Sequence, residues 1–339
     1  MTEIQMSYIG VQLAKKHAFR DAAEIEDRAI TTRPSSTALF CVDAADRYAT
    51  LNDRATGGTT PYSFQITKKE SLLNGFFNRI ALTEIVFPYW IPNINSRTDT
   101  ILYSDNGGPL QVLTIAILGF YSPQELAATL EGLLQIATAN PGFTCTYGNG
   151  VFTFNTNNAD TIAFARGNFG GLGARLDQFQ LYDLLNLAGP GTNGRTTAAT
   201  SLVSGVTRCR YTEYIDIVSP QLTYNQDLKD ASSDPVVRDA LCRIYVEDET
   251  SPIIPVYKSV APDGVIMTQD TAIPGTYPFT IYRKFPMPKQ IQWNNTQPIG
   301  NITFQVYDDK GELLSSHLGA QYPDSTMPDW RTTLLVSEN

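Results

Sequence analysis

Two histidines, four cysteines and a few clustered carboxylates are what acid–base, nucleophilic or metal chemistry would draw on in this 339-residue chain. His17 lies in a polar N-terminal stretch and His317 close to the other end, so no shared site is expected and each reads as a surface residue. Cys41, Cys145, Cys209 and Cys242 are scattered without a CxxC spacing, and none has a histidine close in sequence. A thiolate nucleophile needs a neighbouring base or cation, and a zinc site needs clustered ligands. The four cysteines are therefore expected to be reduced, buried and inert, in a chain made in a cytosol-like compartment. Neither HExxH nor GxSxG occurs.

The carboxylates are no more specific. Glu247-Asp248-Glu249 and Asp308-Asp309 offer oxygens to a divalent cation, but both read as solvated turns. Asp308-Asp309-Lys310-Gly311 also has the composition of a hairpin turn. No spacing picks out a carboxylate pair for glycoside hydrolysis. The glycine-rich run at 167–173 lacks the order and the βαβ setting of a dinucleotide loop and reads as a linker. The basic stretch from Arg283 to Lys289 is interrupted by Phe285 and two prolines. With 25 basic against 34 acidic residues and a net charge of −9, specific nucleic-acid binding is not expected. No run of about 18 apolar residues forms a membrane span, and Met1–Gly10 has no secretory signal. The sequons at Asn294 and Asn301 are then coincidental. The expectation is a non-enzyme with no catalytic residues, no metal and no cofactor.

What the chain does carry is strand-forming sequence. Only 17% of residues are charged, below the roughly 25% of an average soluble domain, while 42% are hydrophobic and 11% aromatic. Tyr62–Thr67 alternates apolar with polar, Ala81–Phe87 follows, and Pro88-Tyr89-Trp90-Ile91-Pro92 is extended and proline-flanked. Ile101–Tyr103 and Gln111–Leu118 flank Asn106-Gly107-Gly108, a hairpin signal. Ser122-Pro123-Gln124-Glu125 has the capping box and N-terminal proline of a helix start. Leu126, Leu130, Leu133 and Leu134 continue it towards Asn140-Pro141-Gly142. A hairpin follows around Gly148-Asn149-Gly150, then a second helix at Asp177–Leu187. Later strands are expected at Tyr211–Val218 (continuing to Tyr224), Ala240–Val246, Thr276–Phe285, Ile291–Trp293, Ile302–Tyr307 and Trp330–Val336.

Strands joined by turns and long loops, without a βαβ rhythm, predict two antiparallel sheets packed face to face, a jelly roll or related sandwich. The chain divides into an N-terminal arm (1–60), a first part of the jelly roll (61–120), an inserted α+β domain (121–200) and a second part of the jelly roll (201–339). The arm is polar and closes on the hinge-like Thr56–Pro61. Removing Met1–Gly58 is expected to leave a folded protein that no longer assembles. A sandwich so poor in Lys and Glu has few charges to guard its edges, which points to burial against partner subunits.

Three segments together resemble a known family: Tyr62–Ile94, Tyr121–Leu134 with the Phe152–Asn155 hairpin strand, and Ile299–Leu314 with Asp329-Trp330. The set is similar to the penton, or minor capsid, proteins of virophages and polinton-like DNA viruses. The resemblance implies a single jelly roll with an insertion on its outer side. It implies a homopentamer at each vertex of an icosahedral double-stranded DNA virus particle, beside double-jelly-roll major capsid trimers. It also implies a chain made in the host cytoplasm or viral factory and found in the virion. The arm is expected to reach those neighbours and other minor capsid proteins, and Tyr89 and Trp90 to lie at a subunit contact. The alternatives are a receptor-binding or fibre-type head protein on the same fold, and a carbohydrate-active jelly-roll enzyme.

Overall fold

A computed structural model describes residues 37–48, 59–67, 79–167, 179–187, 194–223, 240–246, 256–257, 269–270, 276–292, 300–318 and 323–337. In chain order the strands begin with β1 (Thr37–Asp43), β2 (Ser63–Thr67), β3 (Arg79–Tyr89), β4 (Thr100–Asp105) and β5 (Gln111–Thr114). Helix α1 (Pro123–Ala137) precedes β6 (Thr144–Gly148), β7 (Val151–Asn155) and β8 (Ile162–Ala165). Helix α2 (Leu181–Leu184) precedes β9 (Ser201–Val203) and β10 (Tyr214–Val218). Helix α3 (Pro220–Thr223) leads to β11 (Ala240–Tyr245), the short pair β12 (Val256–Tyr257) and β13 (Gln269–Asp270), then β14 (Phe279–Lys284) and β15 (Gln290–Gln292). The chain closes with β16 (Asn301–Asp308) and β17 (Arg331–Ser337).

Nine of these strands build the sandwich. One sheet runs β1-β17-β3-β14, with β15 also on β3; the other runs β11-β10-β16-β2. All ladders are antiparallel. The strands β1, β2, β3, β10, β11, β14, β16 and β17 fall on the two sheets in the order of an eight-stranded jelly roll, with β10 and β11 side by side in one sheet. The alternation read from sequence is borne out in β16, which turns Ile302, Phe304, Val306 and Asp308 inwards. Between the sheets, Trp330 sits against Phe64, Phe87 and Phe304 at ring-centre distances of 5.6, 6.4 and 6.0 Å. Its indole N–H donates to the Pro61 carbonyl at 2.6 Å, so the core's largest side chain is apolar all round yet leaves no buried donor unpaired.

Residues between β3 and β10 form a second body with its own core. The Leu126, Leu130 and Leu134 stripe of α1 faces inwards, in the same core as Phe143, Phe152, Phe154 and Phe164. The Ser122 hydroxyl accepts from the Glu125 amide at 3.2 Å and Glu125 reaches back to the Ser122 amide at 3.1 Å, so the capping box forms as its sequence dictates. Two Asn-Gly turns place both central residues in the left-handed region: Asn106 and Gly107 (φ 48° and 69°), and Asn149 and Gly150 (φ 54° and 82°). Around Asn149-Gly150, where Gly148 pairs with Val151, that is the twist a two-residue hairpin requires; Asn106-Gly107 turns the chain within the longer connection from Tyr103 to Gln111.

The expected boundaries shift at four places. Thr37–Asp43, assigned from sequence to the arm, is the edge strand β1, paired with β17 along its whole length and burying Val42. Its partner lies almost 300 residues away, which no local pattern reveals. Strand β4 pairs with β8, Leu102 opposite Ala165, so residues 100–114 belong to the second body and not to the first part of the jelly roll. The core of that body runs from Ile94 to Cys209, wider than 121–200. The strand expected to continue to Tyr224 gives way to α3, whose first turn is closed by the Leu222 and Thr223 amides on the Ser219 carbonyl. The expected helix at Asp177–Leu187 is reduced to Leu181–Leu184, with residues 177–178 outside the described residues.

Candidate functional site

Residues singled out by sequence for chemistry are dispersed. His17, Glu247-Asp248-Glu249 and residues 168–173 of the glycine-rich run lie outside the described residues. Asp308 is buried at the end of β16 and accepts from the Lys310 and Glu312 amides at 3.0 and 2.9 Å. Burial raises its pKa. Asp309 accepts from the Lys310 ammonium at 2.6 Å and from the Glu213 amide at 3.1 Å. These carboxylates hold a hairpin turn and tie it to the strand beside it. Among the described residues no three His, Cys, Asp or Glu side chains converge as a metal site. No described helix is long and apolar enough to cross a membrane.

Of the cysteines, Cys145 and Cys209 are buried, and burial raises both thiols, Cys209 to about 12. Such a thiol stays protonated and unreactive. Cys242 is half-buried and its thiol is likewise raised by burial. Cys41, expected to be buried, is exposed on β1. A β-strand turns alternate residues to opposite faces, and Val42 takes the inward position.

The expected contact pair is split by the same alternation. Tyr89, the last residue of β3, is fully buried, with its ring 5.4 Å from Phe279. It is a core residue of the sandwich and presents nothing to a neighbour. Trp90, one residue on, is 43% exposed and stands edge-on to Phe120 at 6.2 Å. Other bulky apolar side chains also face outwards: Leu39 on β1 (67%), Ile117 and Ile136 on the second body (74% and 82%), and Met287 between β14 and β15 (89%). Sequence hydropathy cannot find these, because it does not say which apolar residues are left over once both cores are full.

The two bodies meet at a narrow, polar seam. Among the described residues only Phe179 packs against both cores, and Phe120, between β5 and α1, packs against the jelly-roll core. The chain crosses outwards after Tyr89 and returns near Cys209. Asn93, fully buried, clamps the crossings together: its amide donates to the Tyr121 and Cys209 carbonyls at 2.8 and 2.9 Å and accepts from the Tyr121 amide at 2.9 Å. Arg97 pairs with Glu312 across the seam, and the Ser96 amide donates to the His317 carbonyl at 2.9 Å. Lys310 rests its ammonium over the rings of Phe179 (4.4 Å) and Tyr211 (4.5 Å) and donates to the Tyr211 carbonyl. Buried Arg210 holds the Val246 carbonyl at 2.6 Å and the Glu213 carboxylate at 3.2 Å. A surface hollow of about 350 Å³ opens here, lined by three cations and three carboxylates (Arg208, Arg210 and Lys310; Asp183, Glu213 and Asp309), and such a balanced lining selects no charge class of ligand.

No protein-family model matches the chain, and no curated protein matches it. Among solved structures it is similar to that of the selenomethionine-labelled penton protein of mavirus, at 9% sequence identity and a TM-score of 0.46, over 91% of this chain and 100% of that one.

Proposed function

We propose that this chain is a structural capsid protein, the pentameric vertex unit of an icosahedral double-stranded DNA virus or virophage. The observation that carries the reading is a jelly roll, enlarged by a second body between β3 and β10, that leaves Leu39, Trp90 and Met287 facing solvent. Large apolar side chains mark contacts with other subunits where they gather into one exposed patch. The segments that resemble penton proteins fall on β2, β3, α1, β7 and β16, so the resemblance follows the elements that build both bodies.

In this reading five copies associate head-to-tail, each using two different surfaces, so that the contact closes into a ring. Burial of apolar area between copies, at about 25 cal/mol per Å² before the costs of association, holds the ring together. Trp90 is retained as a contact residue and Tyr89 is not. Residues 1–36 act as the arm that reaches neighbouring major capsid trimers. The role is mechanical and involves no turnover.

The test is the symmetry and stoichiometry of the chain in purified particles, read by cryo-electron microscopy. Five copies at each vertex is the expected result. A trimer on a fibre or spike overturns it in favour of a receptor-binding head, and turnover on a panel of glycans overturns it in favour of an enzyme.

A further inference from the structure

Among the described residues, every extensive packing of strand on strand or helix on strand stays within the jelly roll or within the second body. Among the described residues, what joins them is two chain crossings, Phe179 shared by both cores, Phe120 of the second body against the jelly-roll core, and a set of charged and polar contacts. Two bodies joined in this way move relative to one another by default, because no large apolar interface holds them among the described residues.

His317 stands at the centre of that seam. It is half-buried, with its ring 5.7 Å from the ring of Tyr211, which lies on the segment leading into β10. Its backbone carbonyl takes the Ser96 amide from the other side. The charged groups that face it come from three further places: Arg97 from the β3–β4 connection, Lys310 and Glu312 from the turn after β16, and Asp324 from the 3₁₀ turn Asp324–Thr326. Both carboxylates are already engaged, Glu312 by Arg97 and Asp324 by the amide and hydroxyl of Ser316 at 2.9 and 2.8 Å. A proton on the imidazole therefore adds a third cation beside Arg97 and Lys310.

We propose that the second body is hinged on the jelly roll at residues 90–93 and 209–212, and that protonation of His317 opens the seam. The docked state keeps the imidazole neutral: burial first, and then Arg97, lower its pKa from 6.5 to about 4. Opening returns the ring to water and to its ordinary value. The open state thus binds more protons, and it gains on the docked state as pH falls from 6.5 towards 4, with no further gain below that. The inference concerns the single chain and does not depend on the capsid reading.

Hydrogen exchange on the full chain tests it. The Ser96 amide reports the seam, the Val306 amide (bonded to the Tyr62 carbonyl) the jelly roll, and the Thr156 amide (bonded to the Thr200 carbonyl) the second body. After correction for the intrinsic pH dependence of exchange, Ser96 opening is expected to rise about twentyfold between pH 7 and 5 while the other two stay unchanged. His317→Asn suits the residue's φ of 52°, which asparagine tolerates, and should abolish the rise. Glu312→Gln, which removes the carboxylate partner of Arg97, should raise Ser96 exchange already at pH 7 and decides the hinge if the first variant does not fold. An acid response in His317→Asn equal to the wild type, a midpoint outside 4–6.5, or exchange of all three amides in step overturns the proposal.

Discussion

At the scale of the residue, the core is decided by whether buried polar atoms are paired. Trp330 is the case where they are: its N–H meets the Pro61 carbonyl within a ring of aromatics. Trp330→Ala should cost about 3–5 kcal/mol in urea unfolding, from lost burial and the cavity left behind. Trp330→Phe keeps most of the apolar contact but strands the Pro61 carbonyl, and should cost about 1–3 kcal/mol. Tyr89 is the opposite case. Its hydroxyl is buried without a hydrogen-bond partner among the described residues, and burial drives its pKa far above the usual value. Tyr89→Phe removes a polar group that gains nothing from the interior, so stability should be unchanged or rise by up to about 1 kcal/mol. A clear loss in the same denaturation experiment would mean the hydroxyl has a partner that matters.

At the scale of the element, local chemistry and long-range pairing divide the work. Helix α1 is fixed locally: Ser122, Pro123 and Glu125 cap it, and the leucine stripe orients it. Ser122→Ala should cost about 1 kcal/mol, visible as faster exchange at the Glu125 amide and a lower unfolding midpoint. Strand β1 is fixed from a distance, since β17 is its ladder partner. A chain lacking residues 1–36 keeps every described strand of both sheets and should fold. A chain lacking residues 1–58 loses β1, strips one side of β17 and removes Val42 from the core. It should aggregate or melt at a markedly lower temperature, because an unpaired hydrophobic edge is a template for other chains. Comparing solubility and circular dichroism melts of the two truncations checks this directly. It replaces the expectation that the larger deletion leaves a folded protein.

At the scale of the whole molecule, the two cores and the thin joint between them matter most. A body held by charged and polar contacts keeps its orientation only while those contacts last, whereas each core is secured by aromatic and aliphatic burial. Trp90 sits at the outward crossing, against Phe120 and partly in solvent. Trp90→Ala should leave the melting of the isolated chain within a few degrees of wild type but lower its incorporation into particles, measured as copies per vertex. Unchanged incorporation would remove Trp90 from the list of contact residues.

The jelly-roll class was legible in the sequence because period-two alternation is local: Ile302, Phe304 and Val306 announce an inward face wherever the strand is placed. The α1 cap and the Asn-Gly turns were legible for the same reason. The ends of the two bodies were not. Whether Leu102 joins the jelly roll or the second body depends on its meeting Ala165, and whether Phe40 is arm or strand depends on Leu334. The contact pair shows the limit most sharply, since Tyr89 and Trp90 are neighbours in sequence and of one chemical kind. Only the tertiary structure buries one and exposes the other, because the side on which a strand side chain emerges is set by the sheet it joins.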